Sequence, residues 1–165
     1  ESLQEMKEPI TTHCLNAAEK IRADSLVAKT ITISIRTSPF QNKGMYYSNS
    51  KTIDFPVATD NSLEIVKTAL NSLHFIFKKG YKYQKSGIVL SGLSDSENNQ
   101  NLFATIKNNK IKKLMNSIDY TNNKYGRSTL ILADAGIKKK WNIRKEHSSK
   151  IDTADFYFLP TIKAS

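Results

Sequence analysis

Between residues 30 and 36 the chain reads Thr-Ile-Thr-Ile-Ser-Ile-Arg. This period-two alternation puts Ile31, Ile33 and Ile35 on one side of a strand and Thr30, Thr32, Ser34 and Arg36 on the other. A second run repeats it, with Ile53 and Phe55 alternating with Ser48, Ser50, Thr52 and Asp54. The pattern predicts strands over 27–37 and 46–55, joined through 38–44, where Pro39 and Gly44 supply the turn. Each strand has one buried and one wet face. The wet face is rich in Ser, Thr, Arg and Lys, short donors suited to phosphate oxygens, and it points to a nucleic-acid backbone as partner.

Helical periodicity flanks these strands. Leu3, Met6, Ile10, Cys14, Ala17 and Ile21 form one stripe of a helix over 2–24, with Ser2 and Glu5 placed as a capping box. Pro9 is expected to kink this helix or delay its regular start. Asn61 and Glu64 form a second capping pair ahead of Leu63, Val66, Leu70, Leu73 and Phe77, which predicts a helix over 61–79 closed by Lys78, Lys79 and Gly80. A third strand is expected over 83–93, with Gly87 as a bulge. The order helix-strand-strand-helix-strand is that of an α+β fold, an antiparallel β-sheet with two helices packed on one face. The other face is left open.

Residues 94–101 read SDSENNQN, a polar run that ends the first unit near residue 95. Beyond it, Ile111, Leu114, Met115 and Ile118 mark a short helix ending before Gly126, and 128–132 reads as a short β-like run. Residues 138–165 mix cations with Trp141, Phe156, Tyr157 and Phe158. Two units are therefore expected, 1–95 and a small helical and β extension over 96–165. The start at Glu1, inside a helical pattern, is expected to make the chain a piece of something longer.

The chain carries 25 Lys and Arg against 15 Asp and Glu, a net charge of +10, and that excess favours a polyanionic partner. No apolar run approaches the roughly 20 residues of a membrane span. The N-terminus lacks the apolar core of a secretory signal. The single cysteine, Cys14, cannot form an internal disulfide, which fits a reducing cytoplasm, and its place on the apolar stripe makes it a buried thiol. His13 diverges from it by about 100° around the helix, too far for a Cys-His dyad.

Residues for phosphoryl transfer are missing. Two-metal phosphoryl transfer needs carboxylates fixed on strands to hold the ions. Asp95 and Glu97 have ligand-like spacing but fall in the polar linker, where solvation is the better reading. His13, His74 and His147 lie far apart and suggest no zinc site. Neither GxxxxGK[ST] nor GxGxxG occurs.

Five ordered segments carry a resemblance: AAEKIR at 17–22, IRTSPF at 35–40, YYSNS at 46–50, GYKYQKSGIVLSGL at 80–93 and KYGRSTLILADAG at 124–136. Together they resemble the C-terminal part of the UmuC family, Y-family translesion DNA polymerases of the bacterial SOS response. The resemblance implies a little finger domain, the module that grips primer-template DNA, followed by a UmuC-type C-terminal extension. It implies a four-stranded sheet backed by two helices, whose first strand precedes the first helix and is expected to be missing here. It also implies that the catalytic carboxylates and their Mg ions belong to a palm upstream, so no nucleotide transfer and no cofactor are expected of this chain alone. The expected location is the bacterial cytoplasm, at the nucleoid.

On the strands that carry the resemblance, the residues favoured for DNA contact are Arg36, Thr37, Ser38, Ser48, Asn49, Ser50, Lys51 and Lys85. Asn99, Gln100, Asn101, Leu102 and Phe103 resemble the Q-L-x-L-F type of peptide by which polymerases dock on the bacterial sliding clamp. Leu102 and Phe103 match, whereas Asn99 and Gln100 depart from the expected Gln and Leu. The alternative is that Leu102 and Phe103 staple the tail to the core. The basic run 137–141 offers Trp141 as a stacking aromatic or as a packing anchor. The resemblance further implies a processed UmuD-type partner dimer, with 141–158 as its candidate contact. Two rival readings stand beside this one: a free-standing single-strand nucleic-acid-binding module, which should carry stacking aromatics on its sheet, and a protein-interaction adaptor whose charge is incidental.

Overall fold

Ser2 caps the first helix by accepting from Glu5 N at 3.3 Å while the Glu5 carboxylate accepts from Ser2 N at 2.9 Å, the reciprocal box expected from the sequence. The structure, a computed structural model, describes residues 2–40, 46–96, 105–136 and 141. Its elements are α1 (Leu3–Ala23), β1 (Leu26–Thr37), β2 (Ser48–Thr59), α2 (Ser62–Ile76), β3 (Tyr83–Asp95), α3 (Thr105–Tyr125) and a 3-10 turn at Ala133–Ala135. The sheet is antiparallel throughout, in the order β2-β1-β3. The expected α+β fold, with the helices on one face, is what forms.

The alternation in β1 sets which face is which. Ile31 and Ile33 are fully buried and Ile35 is 1% exposed. Their cross-strand partners are Ile53, Lys51 and Asn49 on β2 and Leu90, Ile88 and Ser86 on β3. Over this face α1 lies toward β3 and α2 toward β2. Met6, Ile10, Cys14, Ala18 and Ile21 of α1 and Ile65, Val66, Ala69, Leu73 and Ile76 of α2 complete the core with Phe55 and Tyr83. At roughly 1.5–3 kcal/mol for each large aliphatic side chain taken out of water, this layer supplies the main drive to fold.

Several boundaries differ from expectation for local reasons. Ala18 rather than Ala17 joins the core on α1, and α1 runs through Pro9. On α2, Leu63 is 40% exposed while Ile65, Ala69 and Ile76 are buried. The second capping pair is not a box: Thr59 Oγ1 donates to Glu64 Oε2 at 2.8 Å and accepts from Asn61 N, so its hydroxyl stands between the two expected partners. Strand β2 runs past Pro56, which has no N–H to give a ladder and is tolerated on this edge strand in the irregular stretch between Asp54 and Thr59. Between Ala28↔Thr59 and Thr30↔Asp54 the register shifts, and Lys29 Nζ donates to the carbonyls of Phe55 and Pro56 there, at 2.7 and 3.0 Å.

Gly87 pairs regularly with Ser34, and the irregularity of β3 lies instead between its pairings with Arg36 and Thr37. Asp95, expected in a linker, closes β3 opposite Leu26. The β-like run 128–132 is not a strand: the Leu130 backbone is bonded on both sides by the Asn122 side chain, at 2.8 and 3.0 Å, which replaces a ladder. The third helix is longer than expected and packs Met115 inward. Among the described residues no helix is long and apolar enough to cross a membrane.

Candidate nucleic-acid interface

The open face of the sheet is built from the other half of each strand's alternation. Reading across β2, β1 and β3, its rows are Asp54–Thr30–Ser91, Thr52–Thr32–Val89, Ser50–Ser34–Gly87 and Ser48–Arg36–Lys85. Neighbouring strands lie about 4.8 Å apart, and successive same-face residues about 6.6 Å apart. Val89 is 60% exposed in the second row, and no row holds an aromatic ring.

The two ends of this face differ in how much of their polarity is already used. At one end Thr30 Oγ1 donates to Asp54 Oδ1 at 2.7 Å, and the Thr32 and Thr52 hydroxyls bond each other at 2.8 Å. At the other end Arg36 and Lys85 are exposed and make no ion pair among the described residues, and Ser34 Oγ reaches Gly87 O only at 3.4 Å. A phosphate oxygen therefore has donors to meet at the Arg36 end and a carboxylate to avoid at the Asp54 end.

Sequence charge reinforces that asymmetry. Residues 25–53 hold Lys29, Arg36, Lys43 and Lys51, and residues 65–94 hold Lys67, Lys78, Lys79, Lys82 and Lys85, with no Asp or Glu in either stretch. Topology gathers the middles of these stretches, because β1 finishes, β2 and β3 begin and α2 ends at the Arg36 edge, where Tyr47 Oη donates to Ile76 O at 2.7 Å. The first helix, α1, also starts there and brings Glu5 and Glu8 into the groove that Lys85 lines on the β3 side. Asp24, Asp60, Glu64 and Asp95 fall toward the opposite end.

Of the eight residues favoured from sequence, Arg36, Ser48, Ser50 and Lys85 come together on the open face in two adjacent rows. Thr37 is buried, its hydroxyl accepting from Tyr47 N at 3.0 Å. Ser38 follows the strand and accepts from Phe40 N at 3.2 Å. Asn49 and Lys51 stand on the helix side of β2: Asn49 Nδ2 donates to Tyr47 Oη, and the Lys51 ammonium lies 3.4 Å from the centre of the Phe75 ring. Ser34, absent from that set, sits between Ser50 and Gly87, and the period-two alternation already placed it outward. The clamp-type segment Asn99–Phe103 lies outside the described residues.

Two other groups singled out by sequence lie on α1 or against it. Cys14 is buried, and desolvation pushes its thiol up to about 12, so it has little thiolate to react with at neutral pH. Trp141 meets His13 edge-on, ring centres 5.9 Å apart, in a groove shared with Glu5, Glu8, Gln84 and Lys85. Burial also lowers the His13 pKa.

With this geometry in hand, similarity to known proteins is informative. Residues 1–102 match the impB/mucB/samB family C-terminal domain, and residues 112–162 match a family described as a domain of unknown function (DUF4113). The chain is 30% identical over 162 residues to protein UmuC of Salmonella typhimurium strain LT2, covering 97% of this chain and 38% of that protein. It is 30% identical to protein ImpB of Salmonella typhimurium over 94% of this chain and 37% of the relative. To protein MucB of Escherichia coli it is 29% identical over 99% of this chain and 39% of the relative. The chain thus spans well under half the length of the curated relatives it matches.

Proposed function

Because the chain belongs to the impB/mucB/samB family through its C-terminal domain, we propose that it is the DNA-gripping, partner-docking C-terminal portion of an error-prone translesion DNA polymerase of the SOS response. In this reading the chain holds primer-template DNA by its sugar-phosphate backbone, without regard to sequence. Nucleotide transfer, with its Mg ions and carboxylates, belongs to the remainder of the polymerase. The observation that carries the reading is the pair of adjacent rows Ser48–Arg36–Lys85 and Ser50–Ser34–Gly87, whose cations and hydroxyls face solvent at the end of the open face away from Asp54. Backbone contacts of this kind position a duplex and leave its bases unread, as tolerance of damaged templates requires.

The same reading assigns segment 99–103 to the sliding clamp and the region from Trp141 to residue 158 to a processed UmuD-type dimer, at the bacterial nucleoid. A single-strand-binding module is less favoured, because it stacks bases on sheet aromatics and the open face has none. Filter binding of duplex primer-template across a salt series tests the proposal. With about 4–6 phosphates engaged, log K should fall against log salt with a slope of roughly −4 to −5. Absence of salt-dependent duplex affinity would remove it.

A further inference from the structure

Phe75, next to last in α2, is 72% exposed although it belongs to a helix whose neighbouring side chains fill the core. Its ring is not bare. Lys51 of β2 reaches over it with the ammonium 3.4 Å from the ring centre, inside the distance of a strong cation–π contact. Alongside, Lys78 stands 4.8 Å from the centre of the Tyr47 ring, and Asn49 Nδ2 donates to Tyr47 Oη at 2.9 Å. The α2 end, the β2 edge and the segment before it therefore share a patch of rings topped by ammonium groups, drawn from the two stretches that hold no carboxylate.

The chemistry of this patch selects its occupant. An apolar protein surface laid here would strip water from Lys51 and Lys78 without giving them an opposite charge. The negative end of the α2 dipole disfavours a lone anion, so a phosphate alone gains less here than at a helix start. A duplex hides the flat faces of its bases within its own stack. An unpaired nucleotide satisfies both halves of the patch, its base against the Phe75 face that Lys51 does not cover and its flanking phosphates on the ammoniums.

We propose that Phe75 and Lys51 form a stacking site for unpaired template DNA that continues from the duplex held on the open face. The inference rests on that duplex reading, because successive β2 residues face opposite ways: Ser48 and Ser50 belong to the open face, Asn49 and Lys51 to the Phe75 side. β2 is an edge strand, so a strand leaving the open face can turn around it to reach Phe75.

The test uses the full 165-residue chain with a blunt duplex and with the same duplex carrying a 5′ overhang that contains 2-aminopurine. The overhang should strengthen binding, and 2-aminopurine fluorescence should be quenched near the junction. Phe75→Ala should cut overhang binding roughly fivefold or more and abolish the quench, leaving blunt-duplex affinity unchanged, while Phe75→Trp restores both. Equal overhang binding by wild type and Phe75→Ala, or an equal loss on blunt duplex, would overturn the assignment. Failure of the duplex reading has a different signature: no salt-dependent affinity for the blunt duplex even in the wild type.

Discussion

Arg22 and Asp119 form a two-bond, nearly buried ion pair that ties the first helix to the third. Nε donates to one carboxylate oxygen at 2.6 Å and Nη2 to the other at 2.8 Å, with the side chains 8% and 19% exposed. Nη1 turns the other way, donating to Asp60 O at 2.7 Å and Ser62 Oγ at 2.8 Å. One guanidinium thus holds together α1, the start of α2 and α3. Asp119→Ala leaves it without its counter-charge and should cost about 3 kcal/mol, read as a fall of several degrees in Tm. Arg22→Lys, with Asp119 in place, should also lower Tm, because an ammonium lacks the planar fork that makes both carboxylate bonds. An unchanged midpoint in Asp119→Ala would show that the pair joins nothing.

On the open face the expected effects are electrostatic. Arg36→Ala and Lys85→Ala should each weaken duplex binding to a similar degree for every sequence, and each should make the salt slope shallower by about one. Thr37→Val separates contact from support. Its hydroxyl is committed to the Tyr47 backbone, so the substitution should lower stability by about 1 kcal/mol while leaving duplex affinity of the folded protein unchanged. Salt titrations of the three variants distinguish these outcomes.

How much of this was legible in the sequence depends on the range of the interaction that decides each feature. The period-two alternation around Ile33 and the 3-4 spacing around Ile10 are local, and both faces of the sheet and both packed helices follow from them. Arg36, Ser48, Ser50 and Lys85 could each be placed outward, but their gathering into adjacent rows depends on register, which only pairing fixes. Lys51 was misleading because charge alone does not reveal its side of the strand; opposite Ile33, it points to the helices. Residues 128–132 had strand-like composition, yet the Asn122 side chain, from an element before them, takes up the backbone groups of Leu130. Arg22 was visible only as part of a motif, since its partners lie 38 to 97 positions away.

Leu102 and Phe103 offer a functional test that separates docking from packing. If they enter the clamp's apolar pocket, changing both to Ala should abolish clamp pull-down and leave Tm within about 1–2 °C of the parent, because removing exposed side chains costs little stability. If instead they staple the tail to the core, the same change should lower Tm by several degrees, at roughly 2–5 kcal/mol for a buried Leu or Phe truncation. Retained pull-down would sink the docking assignment whatever the melting behaviour.

His13 and Trp141 predict a pH dependence whose sign is fixed by burial. Desolvation lowers the His13 pKa in the folded chain, so the folded state binds fewer protons than the unfolded one as pH falls below the unfolded value of 6.5. The stability of the Trp141 contact is then complete above pH 6.5 and is lost as pH falls toward the lower folded pKa. Glu5 and Glu8 line the same groove and would favour the charged ring, yet the shift is downward, so desolvation outweighs them. Because Trp141 is the chain's one tryptophan, its fluorescence reports the contact directly. Acidification from pH 7.5 to 5 should shift its emission to longer wavelength as water reaches the indole, and His13→Gln should flatten the profile. An emission maximum that stays constant over this range, or an unaltered pH profile in His13→Gln, would mean that the ring contact does not hold the tryptophan in place.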